Sequence, residues 1–343
     1  MNKKLLIPLA LLCLLAPGCA KKTTSTTGAD AKEYLQLWMD KFHPGINANA
    51  DGLYILEDIP GTGEEWNSEK KYIYTEATVR SLSGTISSTT DETLAKQLGT
   101  YAVGNYYGPK YQAIGSGISY AGVDALLKGM KMGGSRTAVI PAWMLTTSRY
   151  NTQREYIDAC SVSTSLIYSI TLVGQTDDPD EDAIGTLREY VSAVYGQDVQ
   201  PVSYNTEETA DGSFYFISDT SAFDDVEAIA DSKSIQVNYT GKLLDGTVFD
   251  TTLEKVAKDA GIYSASKTYE SATMVYSTTY GNVLMGTSSS IIDGFKGGIS
   301  LMKWKGQKAT VIFTSKHGYT SSGSGNTIPG FAPLIFELEI LAD

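Results

Sequence analysis

The chain has 343 residues, which is enough for two domains of about 150 residues each. Its 42% apolar and 10% aromatic content, with only 19% charged residues, excludes an intrinsically disordered chain. The 39 acidic residues outnumber the 27 lysines and arginines and give a net charge of −12, which argues against binding nucleic acid, and two histidines and three cysteines are too few for a multi-ligand metal site.

Residues 1–18 have the features of a secretory signal peptide. Two lysines precede an apolar run over residues 5–15, which is shorter than the ~20 residues that a membrane-spanning helix needs. The ending Leu15-Ala16-Pro17-Gly18-Cys19 resembles a bacterial lipobox, so we expect a lipoprotein signal peptide and a lipid on Cys19. An ordinary cleaved signal with an incidental cysteine is the alternative.

Residues 19–30 are mostly polar or small and predict a flexible tether to the membrane. Lys21 and Lys22 follow Cys19 without an acidic start, which is compatible with an outer-membrane lipoprotein of the bacterial cell envelope facing the periplasm. Cys13 would leave with the signal and Cys19 would carry lipid, so Cys160 alone would remain and no intramolecular disulfide is expected.

The rest of the chain contains two copies of one pattern. In each copy an amphipathic helical pattern, at 31–42 and again at 182–195, precedes an Asp-Gly turn and an apolar strand. Each copy continues with a polar loop, alternating strands, a short helix flanked by glycines and a closing strand. We therefore predict domains at 31–174 and 182–343, separated by a solvated acidic linker at 175–181.

The second copy begins its sheet with a clear alternating strand. Ile235, Val237, Tyr239 and Leu243 alternate with polar residues, and Asp245-Gly246 then indicates a hairpin. Periodicity leaves the register of the return strand open. A two-residue turn would bring Val248 and Asp250 to the face of Tyr239, whereas a three-residue loop with a glycine bulge would bring Phe249 there.

Three later elements complete the second copy. A helical apolar stripe runs over Ser290 to Ser300, a strand is predicted at Ala309 to Phe313, and a half-buried strand ends the chain at Leu334 to Ile340. A twisted antiparallel sheet wrapped over one short helix would bury all these stripes in one core. The predicted fold class is α+β.

Four separated segments of this second copy carry a family resemblance. They are Val237-Asn238-Tyr239-Thr240-Gly241 with the hairpin to Thr252, Ile291-Ile292-Asp293-Gly294-Phe295 with Met302-Lys303, Tyr319 followed by Ile328-Pro329, and Leu334-Ile335-Phe336-Glu337-Leu338-Glu339. Over residues 211–343 the chain resembles an FKBP-type peptidyl-prolyl cis-trans isomerase. The resemblance implies a half-barrel sheet whose concave face holds a proline pocket, and it implies two FKBP-like domains in tandem.

The resemblance also implies the roles of individual residues. The catalytic residues would be Tyr239, Phe249, Asp250 and Tyr319. The substrate-binding residues would be Ile291, Ile292, Phe295, Ile328 and Phe336. Phe295 replaces a tryptophan floor, Gly281 falls where an aromatic wall residue is common, and the additional residues of 252–282 would lie at the rim, where they could gate the pocket or bind a partner. His317 is expected to be a solvated loop residue.

The chemistry that the resemblance implies needs no cofactor. Rotation about an X-Pro bond faces a barrier of ~18–20 kcal/mol, which amide resonance maintains. An apolar aromatic pocket favours the twisted, less polar amide, with Tyr319 and the Ile328 backbone N–H as candidate donors. The expected function is prolyl isomerisation in proline-containing polypeptide clients, assisting the folding of exported proteins.

The first copy keeps the family's frame but not its pocket. Gly129 to Pro141 resembles the family's turn and following strand, whereas Ala77, Ser87, Ser88 and Val123 replace the aromatic and acidic pocket residues. We therefore expect the first domain to be an inactive spacer, dimeriser or protein-binding module. Two alternatives stay open for the whole protein: a non-catalytic scaffold lipoprotein, or a chaperone that holds clients through its first domain.

Overall fold

The structure, a computed structural model, describes residues 26–342. The predicted signal peptide, the predicted lipidation site at Cys19 and residues 19–25 of the predicted tether lie outside the described residues. The end of that tether is corrected, because Thr27 to Asp30 already form the first turn of a helix. Within residues 26–342, none of the helices combines the length and hydrophobicity needed to cross a bilayer.

The N-terminal part of the described chain contains four helices and six strands. The helices are α1 (Thr27–Phe42), α2 (Glu92–Gln97), α3 (Ala121–Leu127) and α4 (Gln153–Asp158). The strands are β1 (Tyr54–Ile59), β2 (Tyr72–Ser81), β3 (Ile86–Thr89), β4 (Lys110–Ala113), β5 (Ser135–Ile140) and β6 (Leu166–Thr176). We call this part the N-terminal domain.

The C-terminal domain follows with three helices and seven strands. The helices are α5 (Pro179–Tyr195), α6 (Glu254–Asp259) and α7 (Asp293–Leu301). The strands are β7 (Phe214–Ile217), β8 (Ser234–Leu243), β9 (Val248–Thr251), β10 (Ala272–Val275), β11 (Leu284–Met285), β12 (Lys308–Phe313) and β13 (Leu334–Ile340). Short 3-10 turns occur at Ala142–Met144, Ser221–Phe223, Tyr280–Asn282, Ser315–His317 and Thr320–Ser322.

Both domains are built on one antiparallel topology. The first sheet has the order β1-β5-β6-β2-β3 with β4 also paired to β2, and the second has the order β11-β10-β8-β13-β12-β7 with β9 also paired to β8. A threonine pair marks the repeat, since the Thr78 and Thr89 hydroxyls lie 2.8 Å apart and those of Thr240 and Thr251 lie 2.9 Å apart. The predicted α+β class and the tandem arrangement of two domains with equivalent sheets are confirmed.

The predicted acidic linker is largely structured, which corrects its boundaries. Residues 175 and 176 belong to β6, and Pro179 already occupies the first turn of α5. The Asp178 side chain caps this helix by accepting from the backbone N–H groups of Asp180 and Glu181, and the acidic first turn suits the positive end of the helix dipole. Asp177 forms an ion pair with Lys70 at 2.7 Å, so the segment is held at both ends.

Helix α5 and the core helix α7 cover opposite sides of the second sheet. Leu187 and Val191 of α5 pack against Tyr215, Ile312 and Ile335. Helix α7 instead joins the large core on the other face of the sheet, together with β8, β12 and β13. This second face, which we call the inner face, carries the predicted pocket residues.

Candidate active site

Four aromatic rings gather on the inner face of the C-terminal sheet. Phe336 on β13 lies at the centre, with ring centroids 5.2 Å from Phe295 on α7, 5.6 Å from Phe249 on β9 and 6.2 Å from Tyr239 on β8. Tyr239 and Phe295 also meet edge to face at 5.4 Å. Phe295 and Phe336 are buried, while Tyr239 and Phe249 are half-buried. The four rings form an apolar bowl with a closed floor and a partly open edge.

The hairpin after β8 answers the register question that the sequence left open. Three residues, Leu244 to Gly246, form its loop, because the Leu243 N–H donates to the Thr247 carbonyl at 2.9 Å and Gly246 takes a φ of +87°. A second irregularity follows, since Gly241 pairs with Asp250 but Lys242 pairs with Val248. Phe249 is the extra residue of this bulge. Phe249 and Asp250 therefore both reach the face of Tyr239, which neither single alternative predicted.

Gly241 makes room for the ring of Phe249. A Cβ atom at this position would lie 2.5 Å from two atoms of the Phe249 ring and 3.0 Å from Cε1 of Phe336. Carbon atoms in ordinary contact are about 3.5–4.0 Å apart, so any larger side chain would displace the ring. The absence of a side chain at residue 241 is thus a structural requirement of the bowl.

Asp250 occupies the open edge of the bowl and has two side-chain partners. Its Oδ2 accepts a hydrogen bond of 2.7 Å from the Tyr239 hydroxyl, and its Oδ1 forms an ion pair with Lys267. Lys267 also donates to the Thr251 carbonyl at 3.1 Å. Burial and the hydrogen bond to Asp250 raise the pKa of Tyr239, so its phenol stays protonated and holds the carboxylate in place.

The remaining predicted apolar residues belong to the same hydrophobic core as the four rings. Ile291, Ile292 and Tyr319 are half-buried against this core, and Ile328 is buried in it. Burial, and secondarily the charge of Asp250, raises the pKa of Tyr319, which keeps its hydroxyl a donor at neutral pH. Eight of the nine predicted site residues thus lie in one core, and Asp250 is joined to it by its hydrogen bond with Tyr239.

The candidate backbone donor differs from the one expected. The Ile328 N–H already donates to the Ser324 carbonyl at 3.1 Å, so it is engaged within its own loop. The Ile292 N–H, at the start of α7, has no backbone acceptor among residues 26–342. The first N–H groups of a helix lack intrahelical partners, which makes this position a natural donor. Sequence reasoning missed it because α7 begins at Asp293, later than the apolar stripe indicated.

The rim segment, residues 252–282, is part of the fold and is duplicated. It contains α6 and the sheet strand β10, and the N-terminal domain has α2 and β4 in the same places. Both copies contain an Ala-Lys pair, a glycine and two tyrosines at identical spacing: Ala95, Lys96, Gly99, Tyr101 and Tyr107 in the first, and Ala257, Lys258, Gly261, Tyr263 and Tyr269 in the second. The two tyrosines of each copy stack at 5.4 Å. This repeated spacing was the signal in the sequence that the prediction of an additional rim insertion overlooked.

Gly281 adds nothing to the wall of the bowl. It lies on the exposed turn Tyr280–Asn282, and a Cβ atom there would have no neighbour within 4 Å. The neighbouring Tyr280 packs against Tyr204 at 4.8 Å instead.

His317 is buried, which contradicts the expectation of a solvated loop histidine. Its Nδ1 lies 2.7 Å from the Tyr204 hydroxyl and its Nε2 lies 2.7 Å from the Ser213 hydroxyl. Burial, together with the neighbouring charge of Lys316, lowers the pKa of His317. Because two hydroxyl partners satisfy a neutral imidazole, the side chain can stay in the core without charge.

The strand registers locate the eroded pocket of the first copy. Strand β3 has a bulge at Ser87 like the one at Phe249, because Val79 pairs with Ser88 and Arg80 pairs with Ile86. Ala77, Ser87 and Ser88 consequently occupy the positions of Tyr239, Phe249 and Asp250. Val123 is the third residue after the N-cap of α3, and Phe295 is the third residue after the N-cap of α7, so the two positions correspond. The first copy retains the backbone of the site without its rings or its carboxylate.

Comparison with known proteins matches the C-terminal domain. The family model of the FKBP-type peptidyl-prolyl cis-trans isomerases matches residues 226–341. An FK506-binding protein of Neisseria meningitidis serogroup C is 34% identical over 109 residues, which are 32% of this chain and 78% of that protein. A probable FKBP-type peptidyl-prolyl cis-trans isomerase of Haemophilus influenzae is 28% identical over 115 residues, which are 34% of this chain but only 37% of that protein.

Among solved structures, the crystal structure of FkpA from Escherichia coli is similar with 22% identity and a TM-score of 0.31. The alignment covers 48% of this chain and 58% of the FkpA chain.

Proposed function

Because this chain belongs to the FKBP-type peptidyl-prolyl cis-trans isomerase family, we propose that its C-terminal domain catalyses the cis–trans isomerisation of X-Pro peptide bonds. The observation that carries the proposal is the aromatic bowl of Tyr239, Phe249, Phe295 and Phe336 with the Asp250 carboxylate at its edge. No residue of the bowl needs to act as a nucleophile.

The proposed mechanism depends on how the bowl treats the two states of the amide. A planar amide is polar and well solvated in water, whereas the twisted amide has lost its resonance and is less polar. An apolar, ring-lined site therefore favours the twisted form relative to the planar one. Lowering the ~18–20 kcal/mol barrier by about 8 kcal/mol would accelerate rotation roughly a million-fold.

Donors at the edge of the bowl would orient the substrate. The Tyr319 hydroxyl and the Ile292 N–H border the site, and each can donate to a carbonyl of the bound peptide. Asp250, fixed by Tyr239, would place its carboxylate beside the bound amide. These contacts would hold the proline ring in the bowl while the peptide bond rotates.

The test uses exchange NMR or a protease-coupled peptide assay on the full-length protein. We expect Phe249→Ala and Asp250→Ala each to lower kcat/KM by at least tenfold while the protein stays folded. Ser87→Ala and Ser88→Ala, at the matching bulge of the first copy, are the controls and should leave the rate unchanged. An inactive wild-type protein would contradict the proposal and favour the non-catalytic scaffold.

We further propose that the protein acts on exported polypeptides from a lipid anchor in the bacterial cell envelope. The support is the signal-like sequence of residues 1–18 and the lipobox-like sequence that ends at Cys19. Cys19→Ala should abolish labelling by a radioactive fatty acid and move the protein out of the membrane fraction. Labelling that persists in the variant would contradict the anchor.

A further inference from the structure

The segment 319–333, which we call the flap, joins the candidate active site to the N-terminal domain. Its Tyr319 and Ile328 belong to the hydrophobic core that contains the four rings of the bowl. Its Phe331 instead packs between two N-terminal tyrosines, with ring centroids 5.1 Å from Tyr72 and 5.8 Å from Tyr111, both edge to face. One short segment therefore has a side in the site and a side on the neighbouring domain.

A backbone hydrogen bond adds to this docking. The Tyr106 N–H of the N-terminal domain donates to the Asn326 carbonyl of the flap at 2.8 Å, and the Tyr106 side chain packs against the core of the C-terminal domain. Flap residues 329–333 also form one wall of a cavity of about 320 Å³, and Tyr74 and Tyr111 of the N-terminal domain lie on another wall. The flap is thus held along much of its length by the first domain.

The rim segment provides a second connection between the first domain and the site. A Cβ atom on Gly104 would lie 3.3 Å from Cγ2 of Ile262, and one on Gly261 would lie 3.2 Å from Cγ1 of Val103. The two duplicated rim segments therefore touch each other. Lys267, on the same rim segment of the C-terminal domain, forms the ion pair with Asp250 at the edge of the bowl.

The backbone conformation of Phe331 is energetically unfavourable, and the contacts of its ring with the N-terminal domain offset this cost. Its φ is +64°, a left-handed conformation that glycine and asparagine tolerate and that bulky side chains disfavour. The Phe331 N–H donates to the Thr320 carbonyl at 2.8 Å, which closes the flap on itself. Since an aromatic residue is disfavoured here, its ring must gain contacts elsewhere, and those contacts are Tyr72 and Tyr111.

We infer that the N-terminal domain, although it lacks a pocket of its own, positions the flap of the C-terminal site, and that Phe331 is the positioning residue. Docking of its ring keeps Tyr319 and Ile328 against the bowl. The inference rests on the proposed isomerase function, and it assigns the first domain a role in the activity of the second.

The test is a double-mutant cycle in the full-length protein. Phe331→Asn removes the ring but suits the positive φ, so the flap backbone is not strained by the change. Tyr72→Ser removes the opposite ring and inserts the residue that the second copy carries at the matching register position, Ser234. Tyr34→Ser, at an exposed tyrosine of α1, is the matched control.

Exchange NMR over a range of peptide concentrations separates kcat from KM. We expect Phe331→Asn and Tyr72→Ser each to lower kcat at least threefold, with a smaller change in KM. The kcat of the double variant should be no lower than that of the less active single variant. Hydrogen exchange of the flap amides should become at least tenfold faster in both single variants. Tyr34→Ser should change neither quantity.

Two results would overturn the inference. One is an unchanged kcat in Phe331→Asn, and the other is a double variant whose loss is the product of the two single losses. An inert wild-type protein would refute the proposed isomerase function instead. In that event the hydrogen exchange of the flap amides still tests whether the flap is docked on the N-terminal domain. Faster exchange in Phe331→Asn would support the docking, and unchanged exchange would refute it.

Discussion

Substitution of Gly241 by alanine tests the bowl with a single methyl group. The new Cβ atom would lie 2.5 Å from the Phe249 ring and 3.0 Å from Phe336. Phe336 is fixed between Phe295 and Phe313, with centroids at 5.2 and 5.9 Å, so it cannot retreat far. The half-buried Phe249 ring must therefore move outward by about 1 Å to restore ordinary contact.

The magnitude of this effect follows from the size of the clash. Overpacking of this kind costs about 1–3 kcal/mol, and we expect Gly241→Ala to lower the free energy of unfolding by an amount in that range. A displacement of about 1 Å at a catalytic wall can reduce the rate by up to about a hundredfold. We expect kcat/KM to fall by about 10- to 100-fold, because Phe249 leaves the position in which it shields the amide.

Urea unfolding and the peptide isomerisation assay measure the two effects separately. The double variant Gly241→Ala/Phe249→Ala removes the clash, so its loss of stability should be smaller than the sum of the two single losses, while its rate stays low. Val79→Ala, at the corresponding position of the first copy, is the control and should leave the rate unchanged. Full activity in folded Gly241→Ala would refute the reasoning, since Phe249 would then not be needed where the structure places it.

Three further predictions concern the polar groups. His317 has a lowered pKa in the folded protein, so its contribution to stability is fully present above the unfolded value of 6.5 and is lost as pH falls through the lower folded value. The thermal unfolding midpoint of the wild type should therefore fall between pH 8 and pH 5, and the fall should be smaller in His317→Gln. An equal fall in the two proteins would contradict the assignment. Lys267→Gln should lower stability by less than ~1 kcal/mol, because the ion pair with Asp250 is partly exposed, and high salt should reduce the difference between variant and wild type, measured by urea unfolding. Tyr239→Phe keeps the ring but loses the hydrogen bond to Asp250, so kcat/KM should fall by about tenfold, and an unchanged value would show that Asp250 needs no anchor.

The sheet and its helix could be predicted because their residues follow simple periods. Ile235, Val237 and Tyr239 alternate with polar residues, and β8 spans Ser234–Leu243. The apolar stripe around Phe295 and Ile299 likewise predicts α7, although the helix starts three residues later than Ser290 because Ile292 is extended. Burial on one face of a strand or helix makes apolar residues recur with the period of that element, so the element can be predicted from the sequence.

Other features depend on contacts that no period records. The bulge at Phe249 has no signature in the sequence of β9. It is visible only in the strand pairing, where Gly241 pairs with Asp250 and Lys242 pairs with Val248. His317 is buried because Tyr204 and Ser213, more than a hundred residues away, supply its two partners. Such long-range matches become visible only when the chain is folded.

The duplicated bulge shows that this hairpin backbone does not depend on the side chains it displays. The same irregularity carries Phe249 and Asp250 in one half of the chain and Ser87 and Ser88 in the other. A hairpin that accepts such different side chains is suited to grafting of site residues. Placing an aromatic ring, a carboxylate and a glycine on the hairpin of the first domain would measure how few side chains are needed for catalysis on this backbone.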